Sequence, residues 1–257
     1  MKNLENNFYI VAREAGAENH NIPAWANTNN NPIMLDENIT QNIKRINLSN
    51  IPGSFQVLNI LTKEECNRFI IQTEKLGYLE DAAVSLPRSV RHNNSLTWII
   101  DDMTHDIIWN RVKEYMSDED SIFNGKKVLG INKRFRFYKY DEGDFFKVHT
   151  DGAWPGSSVK DNKLITDAYP DRFSQMSFLI LLNEEFEGGT TQFYIDEENP
   201  SKPARNLSNA KIENIRTPTG GVLCFPHGLH PLHCLHSSDK ILSGVKYIIR
   251  TDVLFEK

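Results

Sequence analysis

The chain has 257 residues, of which 39% are hydrophobic and 25% charged, and it contains 14 Phe, 8 Tyr and 4 Trp. This composition fits a folded domain with an apolar core and excludes a chain that is disordered throughout. The net charge is −5 with both signs mixed along the sequence. Because no basic stripe stands out, nucleic acid is not an expected partner.

The cysteines indicate the compartment. There are three, Cys66, Cys224 and Cys234, and no CxxC pair, which argues against a disulfide framework and against a cysteine zinc site. Such a sparse set of cysteines indicates a reducing compartment, and we therefore expect a cytoplasmic protein. The opening segment MKNLENNFYIVAREAG has no long apolar stretch and is not expected to be a secretory signal. No stretch reaches about 18 apolar residues, so no membrane partner is expected.

Residues 1–50 are polar and rich in Asn, especially across 27–32. They show no hydrophobic period, so we interpret them as a polar N-terminal extension that either wraps the domain or stays mobile, with the run 27–32 as loop or tail. The remaining residues, 51–257, are expected to form one domain.

Two amphipathic helices are predicted at the start of this domain. Thr62 and Glu65 form a capping-box pattern, and Gly77 is a suitable end for the first helix. The second helix is predicted over 104–116. The apolar residues at helical spacing in the first helix are Cys66, Phe69, Ile70 and Leu76. Each helix therefore needs a sheet to pack against.

From about residue 130 the hydrophobic period changes to two, which is typical of strands. Within 133–140, Phe135 and Phe137 share one face of the predicted strand. The other face is polar and consists of Arg134, Arg136, Tyr138 and Tyr140. That face either meets solvent or lines a pocket, where Arg134, Arg136 and Tyr138 could contact a substrate or co-substrate.

Further strands are predicted at 176–182, 191–194, 222–225 and 245–255. Helices followed by many short strands favour an α+β chain with a β-sandwich or jelly-roll core. Two long polar insertions, 152–174 and 196–218, interrupt the strands, and loops of that length are usually functional or disordered.

His149 and Asp151 form a candidate metal-binding pair. Positions i and i+2 face the same way on a strand, so both side chains can reach one ion. A third ligand from another strand would complete a facial triad with open coordination positions, which suits Fe(II). The HxD pattern alone is weak, since it also fits a turn in which Asp151 caps and His149 is exposed.

The third ligand has four candidates at a spacing of three, His227, His230, His233 and His236. They could form a histidine-rich metal tract or lie in a loop without a ligand role. We favour His236 because Lys246 follows ten residues later, at the start of the last strand. A cation there can meet the far end of a dicarboxylate co-substrate.

The sequence resembles the prolyl 4-hydroxylase-like branch of the 2-oxoglutarate/Fe(II) oxygenases over roughly residues 55–257. The stretches that carry the resemblance are LTKEECNRFIIQTEKLG (61–77), RFRFYKYDEGDFFKVHTDG (134–152), LILLNEEFEGGTTQFY (179–194), GGVLCFPHG (220–228) and HSSDKILSGVKYIIRTDVLF (236–255). The specific element is the joint pattern of HxD, a distal His and a Lys ten residues later.

The resemblance implies a double-stranded β-helix (jelly roll, cupin-like) core with the N-terminal helices packed on one sheet. It implies Fe(II) ligation by His149, Asp151 and His236, and a contact between Lys246 and the distal carboxylate of 2-oxoglutarate. Tyr140 matches the family tyrosine that hydrogen-bonds the same carboxylate. Arg250 shares the face of Lys246 and stays an alternative partner. Ascorbate is a further cofactor implied by the resemblance.

The implied activity is hydroxylation of an unactivated C–H bond with release of succinate and CO₂. Asp151 favours hydroxylation over halogenation, because halogenating members of the wider superfamily lack the carboxylate ligand. The substrate could be a prolyl residue, an amino acid or another small molecule. Segments 152–174 and 88–98 are candidate walls of its site. The alternatives are a cupin-like metal-binding module and a non-oxidative metalloenzyme. The sequence gives no indication of oligomeric state.

Overall fold

The structure, a computed structural model, describes residues 7–39, 41–83, 86–116 and 122–257. These ranges contain two α-helices, a short 3-10 helix at Lys113–Tyr115 and nineteen strands. The elements of the first half are β1 (Phe8–Glu14), β2 (Ile22–Asn27), β3 (Lys44–Asn47), β4 (Phe55–Leu58), α1 (Lys63–Leu76), β5 (Arg91–His92), β6 (Asn94–Ile99), α2 (Asp102–Val112), β7 (Val128–Ile131) and β8 (Arg134–Tyr140).

The second half of the chain consists of strands. They are β9 (Phe145–His149), β10 (Ser158–Lys160), β11 (Lys163–Ile165), β12 (Arg172–Leu181), β13 (Phe186–Gly188), β14 (Thr191–Asp196), β15 (Ala210–Ile215), β16 (Val222–Pro226), β17 (His236–Ser238), β18 (Ile241–Gly244) and β19 (Lys246–Glu256). Each strand that the sequence predicted in this half overlaps one of these, and β12 begins earlier than expected.

Two sheets make up most of the fold. The larger has the order β1-β2-β6-β8-β19-β12-β16-β4-β3, with β7 paired to β19. The smaller has the order β15-β14-β17-β9-β5. Leu179 and Leu223 of the larger sheet form one buried cluster with Phe193 of the smaller. The two sheets therefore pack face to face as a β-sandwich, in agreement with the predicted jelly-roll core.

Both predicted helices are present. In α1 the Thr62 side chain accepts from the Glu65 backbone N–H and the Glu65 side chain accepts from Thr62, so the capping box forms. Helix α2 begins two residues before the predicted start because Asp101 caps it by accepting from the Thr104 backbone. A buried ion pair between Glu65 and Arg111, 2.7 Å long, joins the two helices.

Apolar side chains of the helices contact the larger sheet. The Phe69 ring of α1 lies 5.9 Å from the Phe137 ring and 6.1 Å from the Trp98 ring. Ile108 of α2 belongs to the same buried cluster. In β8, Phe137 thus faces the helices, and Tyr138 and Tyr140 belong to a cluster on the opposite face, as the alternating pattern predicted.

The strand register brings distant parts of the sequence together. Between β8 and β19, Tyr140 pairs with Lys246 and Arg136 pairs with Arg250. In the smaller sheet, His149 of β9 pairs with His236 of β17. These pairings place the polar face of the larger sheet opposite the histidines of the smaller one.

The N-terminal segment differs from the prediction. Strand β1 pairs with β2, β2 runs parallel to β6, and β3 pairs with β4, so all three extend the larger sheet. The expectation that residues 1–50 lack a strand period is therefore wrong for β1, β2 and β3, whereas the run 27–32, interpreted as loop or tail, lies outside the strands except for Asn27. The IPAWAN stretch of β2 alternates buried and half-buried residues, a short period that the Asn-rich surroundings conceal. Residues 1–6 and 40 lie outside the described residues, and the domain boundary at residue 50 stays a prediction.

The two polar insertions also contain regular structure. Strands β10 and β11 form a hairpin within 152–174, and β15 pairs with β14 within 196–218. They were interpreted as long polar loops between strands, and each contains strands of its own. Edge strands with a water-facing side are polar enough to resemble loops in a sequence. Within the described residues, no helix is both long and apolar enough to cross a bilayer.

Candidate metal centre

Three side chains predicted as metal ligands converge between the two sheets. His149 is the last residue of β9, His236 is the first of β17, and Asp151 lies two residues beyond the end of β9. One ligand atom from each lies within 4.8 Å of those of the other two. His149 Nε2 is 3.7 Å from Asp151 Oδ1, and His236 Nε2 is 3.7 Å from Asp151 Oδ2. A single ion can therefore contact all three.

Both imidazoles are oriented by backbone carbonyl groups. Nδ1 of His149 lies 2.8 Å from the Lys147 carbonyl oxygen, and Nδ1 of His236 lies 3.1 Å from that of Cys234. A carbonyl only accepts, so Nδ1 carries the proton and donates it in each case. In both rings Nε2 then carries a free lone pair that points toward the cluster, which is the usual arrangement in metal-binding histidines. Burial and the neighbouring His149 lower the pKa of His236 to about 3, so this ring is neutral at physiological pH.

The Asp151 carboxylate is held by two buried donors. Ser177 Oγ donates to Oδ2 at 2.5 Å, and Arg250 Nε donates to the same oxygen at 3.2 Å. Burial alone would raise the pKa of Asp151, but Arg250 and the two imidazoles outweigh it and hold the pKa well below its usual range. Asp151 is therefore ionised, with Oδ1 free of these two donors.

A buried hydrogen-bond chain extends behind Ser177. His227 Nδ1 lies 2.9 Å from Ser177 Oγ, and His227 Nε2 lies 3.0 Å from Ser174 Oγ. Because Ser177 gives its proton to Asp151, His227 must donate through Nδ1 and accept from Ser174 through Nε2. Burial lowers the pKa of His227, in keeping with a neutral ring. His227 was a candidate ligand, and the structure instead places it behind the Asp151 carboxylate.

The other two candidates also lie outside the cluster. His230 Nε2 is 2.7 Å from the Ile122 carbonyl oxygen, and His233 Nδ1 is 2.9 Å from that of His230. His230 and His233 therefore make hydrogen bonds to backbone carbonyl groups and have no place in the cluster. Of the four histidines, the structure brings His236 to the cluster, which is the residue favoured from the sequence.

Two imidazoles and one carboxylate fit a divalent transition metal. They approach from the ends of neighbouring strands in one sheet, which leaves the side facing the larger sheet available to other ligands. Nitrogen and oxygen donors with open positions suit Fe(II), although such a set does not select iron by affinity alone. The fold and the cluster together define a jelly-roll β-sandwich with two histidines and one carboxylate placed so that they could hold a metal ion.

A pocket continues from the metal cluster toward the start of β19. Its lining includes His149, Asp151 and His236 together with Tyr138, Tyr140, Phe146, Leu179, Thr191, Ser237, Ser238, Lys246, Ile248 and Arg250. The structure thus brings all six residues predicted for the site to one pocket.

Lys246 is a buried cation at the end of this pocket, with 2% of its surface exposed. Its Nζ donates to the Gly189 carbonyl at 2.6 Å and to Ser238 Oγ at 3.1 Å. Burial lowers the pKa of Lys246 to about 7, with a smaller contribution from Arg216 and an opposing one from Asp239. No carboxylate among the described residues forms an ion pair with this ammonium, so its charge is not compensated locally.

Tyr140 and Arg250 occupy different ends of the pocket. The Lys246 ammonium is 5.3 Å from the centroid of the buried Tyr140 ring. Arg250 instead binds two carboxylates, Asp151 through Nε and Asp252 through Nη2, each at 3.2 Å. Tyr140 therefore lies beside Lys246, and Arg250 lies beside the metal cluster.

The two segments predicted as substrate walls border this region. Strand β5 of segment 88–98 pairs with β9, and the Arg91 guanidinium lies 5.1 Å from the Tyr138 ring centroid. The Phe146 ring stacks on His149 with centroids 3.5 Å apart. From segment 152–174, the Trp154 ring lies over the Arg136 guanidinium.

Sequence reasoning missed Ser177 and Ser174. The available signal was a hydroxyl inside the otherwise apolar run MSFLILL, on the face that also carries Leu179 and Leu181. A buried hydroxyl needs a partner, and here that partner is the Asp151 carboxylate.

Comparison with known proteins gives structural neighbours only. No protein-family model and no curated protein matches the sequence. Among solved structures, the chain is similar to a viral collagen prolyl hydroxylase from Paramecium Bursaria Chlorella virus-1 in a 2-oxoglutarate complex. The identity is 18%, the TM-score is 0.46, and the match covers 79% of this chain and 95% of that one.

Two further neighbours are of the same kind. A prolyl-4-hydroxylase from Pseudomonas putida is 14% identical with a TM-score of 0.46, covering 79% of this chain and 92% of that one. A prolyl hydroxylase from Trichoplax adhaerens, in complex with a hypoxia inducible factor peptide fragment, is 16% identical with a TM-score of 0.49, covering 80% and 84%.

Proposed function

We propose that the chain is an Fe(II)- and 2-oxoglutarate-dependent dioxygenase that hydroxylates an unactivated C–H bond and forms succinate and CO₂. The observation that carries this proposal is the pairing, in one pocket, of a metal-ligating cluster with a buried lysine that has no carboxylate partner among the described residues. A metal-chelating dicarboxylate satisfies both at once. A metal site alone has no use for the distant cation.

In this proposal His149, Asp151 and His236 hold Fe(II), which when bound supplies oxygen activation coupled to decarboxylation of the co-substrate. Lys246 binds the far carboxylate of 2-oxoglutarate, and Tyr140 lies beside that ammonium. Lys246 is favoured over Arg250, because the Arg250 guanidinium is already bound to Asp151 and Asp252.

The other residues of the pocket position these groups. Ser177 and Arg250 fix the orientation of the Asp151 carboxylate, and the packed walls limit the access of water. The double-stranded β-helix description and the oxygenase domain over 51–257 belong to the same proposal, with β1–β3 as an extension of its larger sheet. Ascorbate would sustain turnover by keeping the iron in its ferrous state.

The test is an anaerobic titration of the purified protein with Fe(II) and 2-oxoglutarate. A weak visible charge-transfer band is expected in the wild type and is expected to be lost in His149→Ala. In air, slow succinate formation without a primary substrate is expected, because co-substrate decarboxylation does not require one.

The competing functions give different results. A cupin-like metal-binding module would bind the metal but form no succinate. A non-oxidative metalloenzyme would keep its activity with Mn(II) or Zn(II) and would not respond to 2-oxoglutarate. Weaker 2-oxoglutarate binding in Lys246→Ala than in Arg250→Lys would support the assignment of the carboxylate partner. The reverse order would move that role to Arg250.

A further inference from the structure

Arg136 has an unusual environment for a buried guanidinium. Only 6% of the residue is exposed, and neither Nη1 nor Nη2 has a hydrogen-bond partner among the residues that the structure describes. The nearest carboxylate oxygen, Asp252 Oδ2, lies 3.6 Å from Nη1 and also lacks a hydrogen bond. Burial lowers the pKa of Arg136 to about 10, so the group is still charged at neutral pH. A buried charge with unmade hydrogen bonds is costly, which points to a partner that binds there.

The position of Arg136 separates it from the co-substrate end of the pocket. Arg136 pairs with Arg250 across β8 and β19, four residues along β8 from the Tyr140–Lys246 pair. At about 3.3 Å per residue, the two levels are ~13 Å apart. Because Arg250 contacts Asp151, Arg136 lies level with the metal cluster and away from Lys246, behind the residues that line the pocket.

Trp154 covers the guanidinium. The Arg136 Cζ atom lies 4.5 Å from the Trp154 ring centroid, which is a cation–π distance. Trp154 is partly exposed and follows Asp151 by three residues, at the start of segment 152–174. The backbone N–H of Trp154 donates to Ser174 Oγ at 2.6 Å, so the main chain is held in place while the partly exposed indole ring lies over Arg136. Rotation of the indole would open the Nη atoms to a ligand near the metal.

The charges at the site favour an anionic ligand. Arg136, Arg250 and Lys246 are buried cations, and Asp151 and Asp252 are the carboxylates that contact them or the metal cluster. A divalent metal and a dianionic co-substrate cancel each other. The three cations then exceed the two carboxylates by one, and Arg136, which shares Asp252 with Arg250, is the one whose terminal N–H groups make no hydrogen bond within the described part of the chain.

We propose that Arg136, beneath Trp154, binds the carboxylate of a small-molecule substrate, so that the substrate is a free carboxylic acid such as an amino acid rather than an internal residue of a peptide. This inference rests on the proposed oxygenase function. A planar guanidinium with two free Nη atoms suits a carboxylate, which accepts two parallel hydrogen bonds. A neutral amide at the same place would leave the charge uncompensated.

The experiment compares free L-amino acids with their C-terminal amides on the Co(II)-loaded protein, with and without 2-oxoglutarate. Binding is followed by tryptophan fluorescence and by the visible Co(II) spectrum. At least one amino acid is expected to bind about ten-fold or more tightly than its amide, the ratio for a charge-assisted contact of about 1.4 kcal/mol. In Arg136→Gln that ratio is expected to fall to about one, with an unchanged response to 2-oxoglutarate.

Arg134→Gln is the matched control, because Arg134 lies on the same strand and is already paired with Glu14. It should keep the preference for the carboxylate. Arg136→Lys, which keeps the charge without the planar fork, should show a reduced preference and serves if Arg136→Gln does not fold. The proposal is wrong if no wild-type amino acid exceeds its amide, or if the preference persists in Arg136→Gln. Failure of the oxygenase proposal is separate, since it would appear as no response to 2-oxoglutarate.

Discussion

The two ends of the pocket balance their charges differently. At the metal end, the Asp151 carboxylate accepts from Ser177 at 2.5 Å and from Arg250 at 3.2 Å, and it faces two imidazoles. At the other end, the Lys246 ammonium donates, among the residues with described positions, only to the neutral oxygens of Gly189 and Ser238. At the metal end the negative charge of Asp151 is already hydrogen-bonded before a ligand binds. At the lysine end the positive charge of Lys246 has no counter-charge among the described residues until an anion binds.

This difference indicates what each end is built to do. A prearranged ligand set binds a metal without reorganisation, so its outer hydrogen bonds are part of the site. A buried ammonium without a counter-charge favours an incoming anion, because binding removes a desolvated, uncompensated charge. Substitutions at the metal end should therefore change metal affinity, and those at the lysine end should change co-substrate affinity.

The largest effect is expected from Asp151→Asn, which removes the only carboxylate of the cluster. Since loss of outer partners alone costs about 10–100-fold in metal affinity, loss of this ligand should weaken Co(II) binding by more than about 100-fold. Isothermal titration of the variant measures this, and circular dichroism checks that it folds. Metal affinity within a few-fold of the wild type would show that Asp151 is not a ligand.

The second effect belongs to the lysine end. Lys246→Met keeps much of the side-chain volume and removes the charge, so 2-oxoglutarate should bind about 30-fold or more weakly, equivalent to about 2 kcal/mol or more. Co(II) affinity should be unchanged. Lys44→Met, at an exposed position on β3, is the control. If Lys246→Met lost as much Co(II) affinity as 2-oxoglutarate affinity, the two ends of the pocket would not have separate roles.

The metal end was more accessible to sequence reasoning than its supporting shell. The residue spacing in HTD and the distal His and Lys are local signals, and the structure brings those side chains together. The chain from Asp151 through Ser177 and His227 depends on strand register, which a single sequence does not reveal. Serine and histidine gave no clear signal there because their partners are distant in the sequence.

The fold shows the same limit. The capped helix α1 and the alternating strand β8 follow from local patterns, and both are present as predicted. Strand β3, with the sequence KRIN, is not evident from hydrophobicity, because it is short, polar and stabilised by pairing at the margin of a sheet. Strand β1 does contain an apolar run, FYIVA, but it lies in an otherwise polar, Asn-rich segment. Tertiary pairing decides such segments, and it requires knowledge of the neighbouring strand.

A smaller effect is expected from Ser177→Ala, which removes one hydrogen bond from the Asp151 carboxylate. Metal affinity should fall by about ten-fold or somewhat more, as for other outer partners of metal ligands. Ser54→Ala is the control, because Ser54 is also buried but belongs to neither the metal cluster nor the pocket lining. Equal effects of the two changes on Co(II) affinity would indicate a general loss of packing and no specific role of Ser177.

The pH dependence of co-substrate binding gives the last and smallest effect, about ten-fold per pH unit. In the ligand-free protein burial lowers the pKa of Lys246 to about 7, and a bound carboxylate would raise it again. Above pH 7 the lysine must therefore take up a proton when 2-oxoglutarate binds, so the Kd should rise by about ten-fold from pH 7.5 to 8.5. Below pH 7 the ammonium is already charged, and the Kd should level off.

Calorimetry of the Co(II) protein in two buffers of different ionisation enthalpy measures the proton uptake directly. Lys246→Arg, which stays charged, should lose this dependence, and its persistence in that variant would assign the titration to another group.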